Sequence, residues 1–228
     1  MEKKDLLKDV IKHIDIKSYD STQLIDAMRN MSFTSRDTAR AADILMMMCK
    51  EKECTNILTL AGSTSAAGCM QVYVDMVRNK MIDVVVATGA SIIDMDLFEA
   101  LGYKHYIGEK ENVIPDTTLR DLYIDRIYDT YIDEEELQAC DHSTYELANM
   151  LEARPYSSRE FIYEIGKWLH NGKAVKKDSL IQTCYECGVP IFVPAFSDSS
   201  AGFGIGKHQW ERMQKGEKYL SIDSVKDF

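Results

Sequence analysis

Proline is scarce in this chain of 228 residues, with 4 in all, and it has only 2 tryptophans and 6 cysteines. With 12 glycines and no repeated tract, the chain is not collagen-like or low-complexity. No apolar run approaches the roughly 18–20 residues that a membrane-spanning helix needs. Positive charge is also in deficit: Lys+Arg number 27 against 37 Asp+Glu, a formal net charge of −10. A chain of this sign lacks the basic face that binding to a phosphate backbone requires, so nucleic acid is not an expected partner. The cysteines, at 49, 54, 69, 140, 184 and 187, are too dispersed for a secreted disulfide scaffold, and reduced thiols are expected. Cys184-Tyr185-Glu186-Cys187 has redox or half-zinc spacing but no second pair, and reads as two thiols on one helix with at least one in the core. The segment Met1-Glu2-Lys3-Lys4-Asp5 has no signal-peptide apolar stretch. The expectation is a soluble, cytoplasmic protein without a membrane partner.

What is present is a hydrophobic share of 45%, enough for a sizeable core. The first fifty residues read as helical. Asp20-Ser21-Thr22 can cap a helix through Leu24, Ile25 and Met28, and Thr34-Ser35-Arg36-Asp37 looks like a second start. Ala39, Ala42, Leu45, Met46 and Cys49 then recur at helical spacing, with Met46-Met47-Met48 as core filling. Three short apolar runs follow, at 56–61, 82–87 and 190–195. Each ends in small or polar residues: Gly62-Ser63-Thr64-Ser65, Thr88-Gly89-Ala90-Ser91 and Phe196-Ser197-Asp198-Ser199-Ser200. Helical patterns separate them, one opened by Ser157 with Glu160 at capping-box spacing. Nearly all-apolar strands alternating with helices predict an α/β fold, Rossmann-like, with a mostly parallel sheet and helices on both faces. The division expected is an N-terminal helical segment over 1–50 and a Rossmann-like domain over 51–228.

In such sheets ligands gather at the loops after the strands' carboxyl ends. Gly62-Ser63-Thr64-Ser65-Ala66-Ala67-Gly68 joins a strand to a helix and is either an anion-holding loop or a tight turn. Asp94 and Asp96 follow the second loop. Two acids two residues apart do not share a helix face, so one is free to face a site while the other caps or is solvated. Asp198 suits a ribose acceptor or a helix cap. Gly202, Gly204 and Gly206 alternate but do not form a dinucleotide fingerprint. Asp133-Glu134-Glu135-Glu136 reads as a solvated acidic helix start after an ordered edge at 128–131, and the tail from Ser221 reads as the start of a helix. The five histidines lack metal-ligand spacing; His105 alone lies near a candidate loop.

Together these segments resemble the deoxyhypusine synthase family. The resemblance is carried by Met31-Ser32-Phe33 with Arg36, Ala39-Arg40-Ala41-Ala42-Asp43, Leu60-Ala61-Gly62 through Ala67-Gly68-Cys69-Met70, and Asp83-Val84-Val85-Val86-Ala87-Thr88-Gly89-Ala90-Ser91. Glu99-Ala100-Leu101-Gly102 with His105-Tyr106, Asp125-Arg126-Ile127-Tyr128-Asp129-Thr130-Tyr131, Tyr156-Ser157-Ser158-Arg159-Glu160-Phe161 and Val189-Pro190-Ile191 through Ser200 continue it. The resemblance implies homotetramers that use NAD to oxidise spermidine and move its aminobutyl group, by way of an enzyme lysine, to a lysine of the translation initiation factor 5A precursor. It implies that Gly62, Ser63, Thr64, Ser65 and Ala66, then Thr88, Gly89 and Ala90, and finally Asp198 contact NAD. Asp94 is the best match to an amine-contacting acid, with Met95 or Asp96 in register instead if the loop carries one extra residue. Phe203 stands where the eukaryotic pattern places a second, polyamine-binding acid. The family's triple-glycine motif and its lysine-bearing Trp-Gly-Lys are not met in this sequence, and neither Lys207 nor Lys226 lies in a matching motif. The expectation is therefore a transferase whose lysine lies in a C-terminal part absent here. Alternatives are a non-catalytic subunit that regulates or scaffolds an active paralogue in a homo- or hetero-tetramer, and a related enzyme acting on agmatine or putrescine.

Overall fold

The computed structural model describes residues 2–108, 113–199 and 201–228; Ser200, part of the third loop, lies outside the described residues. Three parallel strands hold the centre. They are β1 (Ile57–Leu60), β2 (Val84–Ala87) and β7 (Ile191–Phe192), in the order β1-β2-β7. Ile57 faces Val84, Leu60 faces Ala87, and Val85 faces Ile191. Val85 is fully buried and Val84 and Val86 are half-buried, which is why β2 is apolar at every position. The helices around the sheet are α4 (Met70–Arg78), α8 (Ser158–Trp168) and α9 (Leu180–Cys187). α8 packs on β7 and on α9, and α9 packs on α4. Phe161, Ile165, Leu180, Ile181, Val74 and Val77 form one core with the strands. The expected capping box opens α8: Ser157 Oγ accepts from the Glu160 N–H at 3.1 Å, and Glu160 Oε2 accepts from the Ser157 N–H at 2.8 Å. Gly188 in the left-handed region closes α9, on which Cys184 is buried and Cys187 exposed.

A second sheet escaped the sequence reading. It is antiparallel, in the order β3-β5-β4, built from β3 (His105–Ile107), β4 (Ile124–Ile127) and β5 (Thr130–Asp133). The stretch expected as an ordered edge at 128–131 is its hairpin turn and the start of β5, which lies in the middle of this sheet. Asp133 then caps α7 (Glu134–Met150), accepting from Glu135 N at 2.9 Å. A small core of Leu6, Leu119, Ile124 and Tyr131 backs the sheet.

The N-terminal fifty residues are only partly the helical segment expected. α1 (Lys3–Leu6), α2 (Thr22–Met28) and α3 (Phe33–Lys50) are helical. Residues 7–15 instead run beside the antiparallel sheet, with Val10 bridged to Tyr106 and Ile11 N–H donating to His105 O at 2.9 Å. The methionine run departs from its expected core role. Met46 is 56% and Met47 69% exposed, and Ala39 is the one buried residue of α3. The helical spacing was genuine, but α3 packs on α2 and its apolar side meets no core in this chain.

The alternating glycines fall inside α10 (Ala201–Gln214), which packs on α7. A Cβ at Gly204 would collide with Thr144 Oγ1 and Asp141 O of α7. Leu220 N–H donates to His208 Nε2 at 3.0 Å, so the ring keeps its proton on Nδ1 and gives it to Asn149 Oδ1 at 2.8 Å. The tail is not the helix expected from Ser221. β8 (Ser221–Ile222) pairs in parallel with β6 (Pro155–Tyr156), and a short turn at Ser224–Asp227 follows, capped by Asp223. Gly204→Ala should lower stability by about 1–3 kcal/mol through overpacking, read as a lower Tm in thermal denaturation; an unchanged Tm would show that the two helices separate freely.

Candidate functional site

The tips of the three parallel strands meet. Gly62, at φ +69°, turns the chain out of β1. Ser91 Oγ donates to Gly62 O at 2.7 Å and lies 3.1 Å from Thr88 Oγ1. Ser65 Oγ donates to Ser91 O at 3.3 Å and touches Met95 Sδ at 3.2 Å. The third tip leans on the second: a Cβ at Gly89 would strike the Ser199 Cβ and lie 2.8 Å from Ser199 Oγ and 3.2 Å from Asp198 O. Both of the first two loops enter wide π-type turns, Ser65–Cys69 and Ala90–Leu97. Turns of this type are common at functional sites because they re-aim the backbone.

The nine residues singled out for the cofactor separate by exposure. Gly62, Thr64, Thr88 and Asp198 are exposed, Ser63 and Ala90 half-buried, and Ser65, Ala66 and Gly89 buried. The hydroxyl of Ser65 joins the first two loops. Tyr73, unremarked in the sequence, donates from its hydroxyl to Thr64 Oγ1 at 2.8 Å.

The three residues competing for one register also separate. Asp96 is buried; its Oδ1 accepts from Leu180 N and its Oδ2 from Ile181 N, both at 2.8 Å, so it anchors the start of α9. Burial pushes its carboxyl up to about 6, against the pull of those two N–H groups. Met95 is buried under Ser65, and Asp94 is the half-buried acid of the three.

A polar quartet, buried at Glu99 and His105 and half-buried at His13 and Lys176, underlies the loops. Glu99 Oε1 accepts from His105 Nδ1 at 2.9 Å; its Oε2 accepts from His13 Nε2 at 2.6 Å and Lys176 Nζ at 2.5 Å. Burial raises the Glu99 carboxyl, but these three donors outweigh it and hold the group well below the usual carboxylate range. His13 Nδ1 accepts from Met70 N at 3.3 Å, and Ile14 N–H donates to Gly68 O at 2.9 Å. The N-terminal segment thus straps down the far end of the first loop. His105, noted for its place near a loop, belongs to this support. Positions 13, 99, 105 and 176 are too far apart in sequence for spacing to reveal them.

A parallel sheet whose strand tips converge on small-residue turns is an α/β arrangement, the kind of fold in which ligands gather at such tips. Comparison with known proteins narrows the class. The family model for deoxyhypusine synthase matches residues 23–228, and the chain belongs to that family. A deoxyhypusine synthase-like protein of Caulobacter vibrioides is 64% identical over 227 residues, 100% of this chain and 61% of that protein. One from Coxiella burnetii is 58% identical over 226 residues, 99% of this chain and 63% of that protein. The chain therefore spans about three fifths of the length of these relatives. The crystal structure of a candidate deoxyhypusine synthase from Entamoeba histolytica shares the fold. Its TM-score is 0.63 at 20% identity, over 95% of this chain and 72% of that one. Among the described residues no helix is long and apolar enough to cross a membrane.

Asp96 supplies a pH test. Its folded-state value, about 6, lies above the ordinary 3.8, so its contribution to stability is full below 3.8 and is lost as pH rises through about 6. Asp96→Asn, which cannot titrate, should flatten the pH dependence of the denaturation midpoint between about pH 4 and 7. An unaltered slope would mean that another group carries it.

Proposed function

We propose that this chain carries the dinucleotide-binding part of an NAD-dependent aminobutyl transferase of the deoxyhypusine synthase type. The donor is a spermidine-like polyamine, and the acceptor is a lysine of the translation initiation factor 5A precursor. The observation that carries the reading is the joining of the strand tips through Ser91 Oγ to Gly62 O and through the Gly89–Ser199 contact. The residues fit the cofactor. A Cβ at Gly62 would meet nothing within 4 Å, leaving open space over the first tip, and Thr64, Thr88 and Asp198 stand exposed on the three tips. Backbone N–H groups at a loop leading into a helix suit a diphosphate, and a carboxylate after a strand suits a ribose. NAD, when bound, supplies the hydride acceptor for oxidation of the amine. Asp94, half-buried beside the second tip, is the acid placed to receive the cationic donor. In the family's chemistry a lysine takes up the butyl group, and this chain spans about three fifths of its relatives' length. A different amine donor is the second reading; it is favoured by Phe203, 76% exposed at a position where the family's eukaryotic pattern has an acid.

Calorimetric titration of NAD into the chain alone and into its mixture with the remaining part of the Caulobacter vibrioides relative tests this reading. Binding is expected in the mixture only, and equally tight binding by the chain alone would count against it. Asp198→Ala in the assembled protein should weaken NAD by about 1–3 kcal/mol through loss of an acceptor. Unchanged affinity would remove Asp198 from the site.

A further inference from the structure

His13 is bonded at both ring nitrogens, and the two bonds fix its tautomer. The Met70 N–H donates to Nδ1 at 3.3 Å, so Nδ1 carries no proton, and Nε2 donates to Glu99 Oε2 at 2.6 Å. Met70 opens α4 directly after the first loop, and Cys69 before it gives the helix no side-chain cap. The neutral ring of His13 stands in for that cap, on a donor that the helix itself cannot satisfy. Beside it, Ile14 N–H donates to Gly68 O at 2.9 Å, and a Cβ at Gly68 would lie 3.0 Å from Lys12 O. The N-terminal segment and the last residues of the loop are therefore in close register.

A second proton on this ring would go to Nδ1 and set a donor against the Met70 N–H. The positive end of the α4 dipole opposes that proton as well. Glu99 favours the charged ring, but Lys176 Nζ already lies on the same Oε2 at 2.5 Å. Lys17, further along the segment, is tied to Asp75 of α4 at 2.7 Å. His105 shares Glu99 through Oε1, and its side chain is fully buried. Its Nε2 has no partner among the described residues, so a second proton there would be an unsatisfied buried donor. The His13 side chain is 13% exposed, and is the ring of the two that water reaches. Imidazole changes its charge between about pH 5 and 8. We infer that His13 is a positioning residue that holds the first loop only while its ring is neutral, so that mild acid loosens the loop and weakens the ligand it carries. That the ligand is NAD rests on the function proposed above; the loosening of the loop does not.

The test measures amide protection factors in the 228-residue chain, without ligand, at about pH 7.5 and 5.5. Those of Met70 and Ile14 should fall by about tenfold or more at the lower pH, with Phe161 of α8 unchanged. His13→Gln can donate to Glu99 and accept from Met70 without titrating, so it should keep both amides protected at either pH. His13→Ala should leave them open at both. Asp96, whose carboxyl titrates at about 6, is present in every variant, so the glutamine chain separates its effect. Nitrogen chemical shifts of the His13 ring should report the Nε2–H tautomer at the higher pH. In the mixture with the remaining part of the Caulobacter vibrioides relative, NAD affinity should fall with pH in the unaltered chain and hold in the glutamine variant. Equal protection of the unaltered chain at both pH values, the same fall in His13→Gln, or an Nδ1–H tautomer would each overturn the proposal. The exchange measurement contains no NAD, so a failure to bind NAD would count against the cofactor reading alone.

Discussion

The buried carboxylate of Asp96 is the constraint on which the rest of the site depends. It sits in the π-type turn after β2 and receives both N–H groups that open α9, the helix leading into β7. One side chain thereby fixes the loop after the second strand to the element that delivers the third. Ser91, in the same turn, holds the loop after the first strand. Loops are otherwise the least constrained parts of a fold. Here the first two are joined by hydrogen bonds, and the third is packed against the second at Gly89.

The support below them has the same logic. Glu99 lies three residues beyond Asp96 on the same helical run, and gathers donors from the N-terminal segment, from β3 and from the stretch before α9. Removing a carboxylate from water is costly, and three charged or imidazole donors at 2.5–2.9 Å offset that cost. His13 passes the constraint to the start of α4 through Met70. The first loop is therefore held from below and from its far end, which leaves Gly62 and Thr64 free to face outward.

The parallel strands and their tips were legible in the sequence because each is an apolar run bounded by small residues. The pairing of Asp94 and Asp96 was half legible: spacing required different environments for the two acids, but could not say that Asp96 would cap a helix more than eighty residues on. The antiparallel sheet was hidden because its strands are three or four residues long and include Asp125 and Arg126, so they carry no apolar run. The methionines of α3 were misread because periodicity reports a stripe without reporting what lies opposite it. Glu99 and its partners left no trace in spacing, since long-range polar clusters obey only the fold.

The contact between Gly89 and the third tip has an evolutionary consequence. There is no room for a methyl group between the two loops, so neither can be altered by small steps in isolation. A lineage that gave Gly89 a side chain would have to reshape the turn at Asp198 and Ser199 at once. The two loops, about a hundred residues apart in sequence, are therefore coupled through this one steric contact.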